Sequence, residues 1–364
     1  MRLSPTLLGY IGRQFAVALG SILAVLLTIV FTFDAIELLR RASGRPDVPT
    51  ELVLQMALLK LPQMAEQLAP FVVLFAAMVT FWRLTRTHEL TVARSAGVSV
   101  WQFLVPIAGF AILFGVFKTT AINPAAAVLY GNFERIEAQL LRGRSSLLAV
   151  ADSGLWLRQI DAGGNSVVHA RRVSSQDVTL FEVIILNFEG QDRFVGRIDA
   201  ASARLEDGHW AVTDAWVSAP ERPSRFEGSF RVPTTMTAEQ IQDSFASPLT
   251  ISFWELPEFI RMLEAAGFSA TRHRLHWHQL IAGPLLLAAM VLIAATFSLR
   301  PHRRGGAGFL VVAGISVGFA LFFVSSLVGA LGQSGAIPVA LAAWTPAVVS
   351  AMLGTAMLLH LEDG

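Results

Sequence analysis

Arg83-Leu84-Thr85-Arg86-Thr87-His88-Glu89-Leu90-Thr91-Val92-Ala93-Arg94-Ser95-Ala96-Gly97 is a short charged stretch wedged between two long apolar runs. It is too short to bury a core of its own. Working outward, the run before it ends at Trp82 and reaches back past Lys60, with Lys60 and Glu66 interrupting its far half, and the run after it extends from Val98 to about Ile122. Both exceed the roughly 20 residues that cross the hydrocarbon core of a bilayer. The stretch is therefore a connection between two membrane spans, and the fold is decided as a polytopic helical membrane protein.

The rest of the chain repeats the pattern. Phe15 to Phe33 carries no Asp, Glu, Lys or Arg; it is longer than a signal-peptide core and lacks a small-residue cleavage site, so it reads as an uncleaved anchor. Leu280 to Leu299 is another such run, and Gly305 to Leu359 is long enough for two spans divided by the turn-like Gly332-Gln333-Ser334-Gly335. The expectation is six spans, arranged three and three. Composition agrees, with 54% hydrophobic and 15% charged residues and a mean hydropathy of +0.56, well outside the mix of a soluble domain. Cysteine is absent, which excludes a disulfide framework and a thiolate metal site. A net charge of +1 argues against a nucleic-acid binder.

Arginine sets the orientation. With the N-terminus in the cytoplasm, Arg2, Arg13, Arg83, Arg86, Arg94, Arg300, Arg303 and Arg304 all fall in short cytoplasmic segments, as the positive-inside rule requires. The long insert from about Asn123 to Arg274 then lies on the non-cytoplasmic side, which is the periplasm if the membrane is a bacterial inner membrane. Within it Gly154–Arg158, Ser166–Ala170, Val178–Ile185, Trp210–Thr213 and Ser229–Val232 are short β-branched and aromatic runs, and Glu206-Asp207-Gly208-His209 marks a hairpin. Eight or so strands are expected, as a sandwich, jelly roll or open barrel. Ser252 to Gly267, with Phe259, Ile260 and Leu263 at helical spacing, reads as an amphipathic helix returning the chain to the membrane.

Catalysis finds no support in the sequence. There is no G-x-x-x-x-G-K-[ST] motif, and neither of the two lysines, Lys60 and Lys118, follows a glycine, so the chain does not hydrolyse ATP by a P-loop. His273, His276 and His278 are spaced off any one helical face, and the His-Trp-His context suits a membrane interface better than a metal. No strained nucleophile turn is present. Arg304-Gly305-Gly306-Ala307-Gly308 suits a helix start or close packing.

The string LTRTHELTVARSAGVSVWQFLVP (Leu84 to Pro106), followed by Asn123-Pro124, resembles the LptF/LptG permeases of the lipopolysaccharide export transporter. The resemblance covers nearly the whole chain. The stretch from Ile251-Ser252 through Glu264-Ala265-Ala266-Gly267 to Leu359-His360-Leu361-Glu362-Asp363-Gly364 is more like the LptG branch. It implies transmembrane helices 1–3 over residues 1–122, a coupling helix at 84–97, a periplasmic β-jellyroll domain over 123–250, an amphipathic return helix over 251–274, and transmembrane helices 4–6 over 275–364. It also implies partners: an LptF-like permease in a heterodimer, a dimer of the ATPase LptB, and LptC. Lipopolysaccharide is the implied ligand, and ATP and Mg are held by the ATPase, so this chain carries no cofactor of its own.

Two places are then expected to function. As a helix, Leu84–Gly97 carries Leu90, Ala93 and Gly97 on one side, with Arg86 and Glu89 three apart on another. Glu89 matches the acidic position of the family's coupling helix, and its carboxylate can accept a charge-assisted bond from an ATPase arginine. The docking set is Leu84, Arg86, Glu89, Leu90, Ala93, Arg94 and Gly97. The bland reading is a local Arg86–Glu89 surface pair. Arg40 and Arg41, with Arg45 nearby, follow the first span on the side where cations are scarce; the resemblance makes them lipopolysaccharide contacts, guanidinium to phosphate. The alternative is local bonding to Glu37 at i, i+3 and i, i+4. Asp34 stands where some family members carry a further basic residue.

Phe319, Phe322 and Phe323, with Phe309, Val312 and Leu321, are candidates to line an acyl-chain cavity, against the plainer expectation that most of them face lipid or other helices. The resemblance makes the first and fifth spans the dimer interface. Two other classes of function stay open: an ion-gradient-driven lipid transporter, for which only Glu66 and Lys60 offer intramembrane charge, and a membrane-anchored periplasmic lipid-binding or scaffold protein.

Overall fold

The computed structural model describes residues 5–43, 49–95, 97, 99–137, 140, 148–151, 154–161, 164–174, 178–189, 193–206, 208–220, 222–234, 236–237, 247–265, 269–298 and 307–363. Among these residues six helices are long and apolar enough to cross a membrane. They are α1 (Pro5–Ala42), α2 (Thr50–Arg86), α4 (Val100–Phe117) continued by a π-helical turn (Lys118–Ile122) and α5 (Asn123–Glu137), then α7 (Thr271–Ser298), α8 (Ala307–Gln333) and α9 (Val339–Asp363). A short helix, α3 (Glu89–Ser95), separates α2 from α4, and α6 (Leu256–Ala265) precedes α7. The chain divides into two compact units: Met1–Leu141 with Leu249–Trp254 and Thr271–Gly364, and Arg142–Pro248 with Glu255–Ala270.

In the helical unit several hydroxyls on the spans bond within their own helix. The hydroxyls of Ser21, Thr28 and Thr32 on α1 each donate to the carbonyl four residues back, at 2.8 Å, as a segment without water around it requires. Pro62, Pro70, Pro106, Pro284 and Pro346 all lie within helices. Where helices approach closely, glycine is the cause. A Cβ on Gly115 would fall 2.7 Å from Pro284 Cα, so α4 and α7 meet backbone to backbone, the small-residue seam of membrane packing. Gly314 and Gly318 likewise admit Phe75, Met78 and Phe71 of α2 against α8.

The third span is longer than the sequence indicates. Asn123-Pro124 reads as a helix end and as the start of the β insert at residue 123, yet α5 continues through Glu137 in the helical unit. Pro124 has no N–H to offer the Thr120 carbonyl four residues back. That carbonyl accepts instead from the Trp254 indole N–H at 3.1 Å, and the π turn absorbs the change of register. The break is thus repaired by a side chain 134 residues away, which no local pattern reveals.

The second unit holds the all-β insert. Strands β1 (Leu148–Ala151), β2 (Gly154–Asp161), β3 (Gly164–Ser174), β4 (Thr179–Glu189), β5 (Arg193–Glu206), β6 (His209–Ala219) and β7 (Arg222–Pro233) form one antiparallel sheet in sequence order. Among the described residues every sheet neighbour is a chain neighbour, the connectivity of consecutive hairpins. One face is buried: Leu155, Leu157, Val168, Ala170, Val183, Ile185, Ile198, Ala200 and Ala215 alternate with exposed residues, the period-two pattern of a half-buried sheet. Glu182 and Asp214 adopt positive φ, at 54° each. Pairing skips both of them together with Arg171 and Ala201 opposite, and the register is the same on either side; it shifts instead at Asn187/Phe188 and at Val217/Ala219, as bulges that bend a sheet do. The return helix is shorter than the expected 251–274. It is α6 alone, and Leu256, Ile260 and Leu263 are buried in the β unit beside β1. Its apolar face is therefore covered by protein.

Candidate functional site

The expected helix over Leu84–Gly97 is interrupted. At the end of α2 the Thr87 N–H donates to the Arg83 carbonyl at 2.9 Å, and the Thr87 hydroxyl donates to the same carbonyl at 3.0 Å. His88 then takes φ 60°, and the helix restarts at Glu89. Gly97, at φ 84°, follows the end of α3, and Ser99 opens α4 with a capping box to Gln102. Leu84 and Arg86 therefore belong to α2. The cause is local: Thr87 and His88 satisfy the last carbonyls of α2 and release the backbone from helical φ.

This break changes which face is open. Leu90 is 5% exposed and, with Ala93 against it, belongs to a buried cluster that also holds Ile11 and Phe15 of α1, Phe81 of α2 and Val100 and Phe103 of α4. The apolar side expected to dock a partner is covered by this chain's own helices. What α3 leaves outward is Val92, 66% exposed, with Ser95; the Arg94 side chain and Ala96 lie outside the described residues. Arg86 lies over the Trp82 ring at 5.2 Å, a cation–π contact. Glu89 takes different partners, the Tyr10 hydroxyl at 3.2 Å and the Thr87 hydroxyl at 2.9 Å, both on Oε1. The Arg86–Glu89 pair weighed from the sequence is not what these side chains form.

At the other end of the bundle, the last turn of α1 packs on the start of α2 and the end of α5 through Leu38, Val53, Met56 and Phe133. Here Glu37 receives two bonds from Arg40 at 2.8 Å and one from Arg41 at 2.8 Å. Arg41 also reaches Glu137 of α5 at 3.5 Å. The local alternative is thus realised in this structure, although both arginines remain more than half exposed, and exposed pairs of this kind contribute little. Asp34 pairs with Lys60 at 2.5 Å, and the Lys60 ammonium sits 5.4 Å from the centre of the Phe133 ring.

One polar cluster escapes the sequence reading. Lys118 stands inside the expected third span, yet only Lys60 and Glu66 count there as intramembrane charges. Glu66 is 7% exposed and accepts from the Asn123 amide at 3.1 Å, while Asn123 Oδ1 accepts the Phe253 N–H at 2.8 Å. Lys118, which opens the π turn, interacts electrostatically with both Glu66 and His276. Beside it the Thr119 hydroxyl donates to the Leu280 carbonyl at 3.2 Å. Three spans are thereby joined by buried polar groups. The available signal was Lys118 itself, a charge nineteen residues beyond Ser99 and in register with nothing nearby in sequence.

Phe319, Phe322 and Phe323 are exposed on α8, with Phe322 6.5 Å from Phe71 of α2, centre to centre. On the β unit a cleft of about 570 Å³ is lined by His169, Arg171, Glu182, Asp199, Asp214 and Trp216. Most of its charges are already engaged: Arg171 and Arg172 hold Glu182 at 3.1 and 3.4 Å, and Asp199 is gripped by Arg197, whose pKa that bond raises further.

A family model described as lipopolysaccharide export system permease LptF/LptG matches residues 9–360. The chain belongs to the LptF/LptG permease family. It is 26% identical to lipopolysaccharide export system permease protein LptG of Escherichia coli K12 over 344 residues, 93% of each chain. It is 25% identical to the protein of the same name from Haemophilus influenzae Rd over 352 residues, 94% of this chain and 95% of the relative. With six spanning helices and an inserted β sheet, the LptF/LptG member described here is a multi-pass inner-membrane permease of lipopolysaccharide export, a transporter component rather than an enzyme.

Proposed function

We propose that this chain is the LptG-type half of a heterodimeric permease that LptB drives to extract lipopolysaccharide from the inner membrane and pass it to LptC. The observation that carries the reading is Glu89: it sits at the start of a short helix between two spans, with Oε1 bonded inside the chain and Oε2 without a bond among the described residues. A carboxylate oxygen held this way suits an arginine on a docked ATPase. With no P-loop motif in this sequence, ATP-driven extraction would draw its energy from an ATPase partner. In this reading both termini and α3 are cytoplasmic and the β unit is periplasmic, as the arginine distribution supports. The test is purification of the chain from its native membrane in mild detergent. A stoichiometric P-loop ATPase and an LptF-like paralogue are expected with it, and recovery of the chain without either would overturn the assignment.

Arg40 and Arg41 are the proposed phosphate contacts for the lipid. Their bonds to Glu37 are exposed and exchangeable, so a lipid A phosphate can take the place of the carboxylate. Reversing both, Arg40→Glu with Arg41→Glu, is expected to lower lipopolysaccharide photocrosslinking about tenfold or more, the worth of one or two charge-assisted bonds. Crosslinking at the wild-type level would leave the arginines as partners of Glu37 and Glu137 alone.

The Glu66, Asn123, Lys118 and His276 cluster favours one competing reading, transport driven by an ion gradient, because ionisable groups buried among spans mark ion pathways. An ionophore separates the two: it leaves ATP-driven extraction intact and stops gradient-driven extraction.

A further inference from the structure

We infer that Tyr10 is a positioning residue for Glu89, and that through this bond it ties α3 to α1. This rests on the reading of Glu89 as the ATPase-docking carboxylate. Between α2 and α3 the last backbone bond of α2 runs from the His88 N–H to the Thr85 carbonyl at 3.2 Å, and His88 at φ 60° turns the chain, a hinge-like place where a few dihedrals absorb a movement, bridged by the Thr87 hydroxyl on Glu89. The junction with α1 is built from two kinds of contact. The Tyr10 hydroxyl donates to Glu89 Oε1 at 3.2 Å, 79 residues away in sequence. One and five residues along α1 from Tyr10, Ile11 and Phe15 are fully buried in the same cluster as Leu90. A rigid apolar contact transmits displacement because packed interiors are not continuously deformable.

The geometry also assigns the two oxygens of Glu89 separate work. Oε1 accepts from both Tyr10 and Thr87, which fixes the plane of the carboxylate. Oε2 is thereby held in one orientation for an incoming guanidinium. In this arrangement Tyr10 acts through Glu89.

The experiment uses the whole assembly with its ATPase and paralogue, reconstituted in vesicles containing lipopolysaccharide, and reads lipid extracted per ATP hydrolysed. Tyr10→Phe keeps the ring and its packing and removes the hydroxyl. The ratio is expected to fall about three- to tenfold, the worth of one hydrogen bond to a charged group, with the thermal unfolding temperature of the assembly unchanged. In a Glu89→Ala background, where extraction is lost, the readout is the residual recovery of the ATPase with the permease, and Tyr10→Phe is expected to lower it no further, an outcome a merely structural tyrosine would not give. If Glu89→Ala impairs extraction while Tyr10→Phe leaves the ratio at the wild-type value, or if the two effects are additive, the positioning role is overturned and the docking reading stands. If Glu89→Ala itself leaves ATPase association and extraction untouched, the docking reading falls, and this inference with it.

Discussion

Glu89→Ala is expected to lower recovery of the ATPase with the permease by about 10- to 100-fold and to abolish lipopolysaccharide extraction. The change removes the carboxylate that presents Oε2 outward from the start of α3, and a hydrogen bond to a charged partner contributes about 1.5–3 kcal/mol. The fold of the chain should survive, because Leu90, Ile11 and Phe15 hold α3 without the carboxylate. Glu89→Gln separates charge from shape. It keeps an acceptor oxygen for Tyr10 and Thr87 but loses the ion pair, so it should retain a measurable part of the association. Quantitative co-purification followed by an extraction assay checks both. Wild-type recovery with Glu89→Ala would move the docking surface elsewhere on α3, to the outward side that carries Val92 and Ser95.

The second large effect is expected at Asn123. Asn123→Leu removes the amide that donates to Glu66 and the oxygen that accepts the Phe253 N–H. It leaves a buried carboxylate and a part-buried backbone N–H without these partners. Leaving a buried hydrogen-bonding group unpaired costs about 1–3 kcal/mol, so the purified chain should show a lowered midpoint in thermal unfolding. The loss should be partly recovered in Asn123→Leu with Glu66→Leu, since replacing both partners by apolar side chains removes the stranded group. A double variant no better than the single would show that Glu66 does not depend on Asn123.

Helical membrane architecture was legible because lipid allows so few solutions: charge-free runs of sufficient length become spans, and Phe15–Phe33 lies in one, Leu280–Ser298 in another, and Val312–Gln333 and Val339–His360 divide the last run. The β insert was legible from strand chemistry at Gly154–Arg158 and Val178–Ile185, whereas β1 and the longer β5 (Arg193–Glu206) were not, since alternation in β5 is blurred by Ala and Ser. What failed were boundaries set by tertiary contacts. Asn123-Pro124 reads as a helix end, and only the Trp254 indole on the Thr120 carbonyl shows why it is not.

The candidate site followed the same rule. Glu89 and Arg40 were nameable from their positions in the chain, but their partners were not: Tyr10 lies 79 residues from Glu89, and Lys118 meets Glu66 and His276 through folding alone. The apolar face of α3 was found correctly as a face and assigned to the wrong neighbour. Periodicity shows which side of a helix is buried, not what buries it.

The most direct test of the central claim is extraction of lipopolysaccharide by the purified assembly in sealed vesicles, followed by photocrosslinking to an acceptor protein outside. The account predicts transfer that requires ATP, persists when an ionophore collapses every ion gradient, and disappears with Glu89→Ala in this chain. Transfer that proceeds without ATP, or that stops with the ionophore while ATP is present, would contradict it.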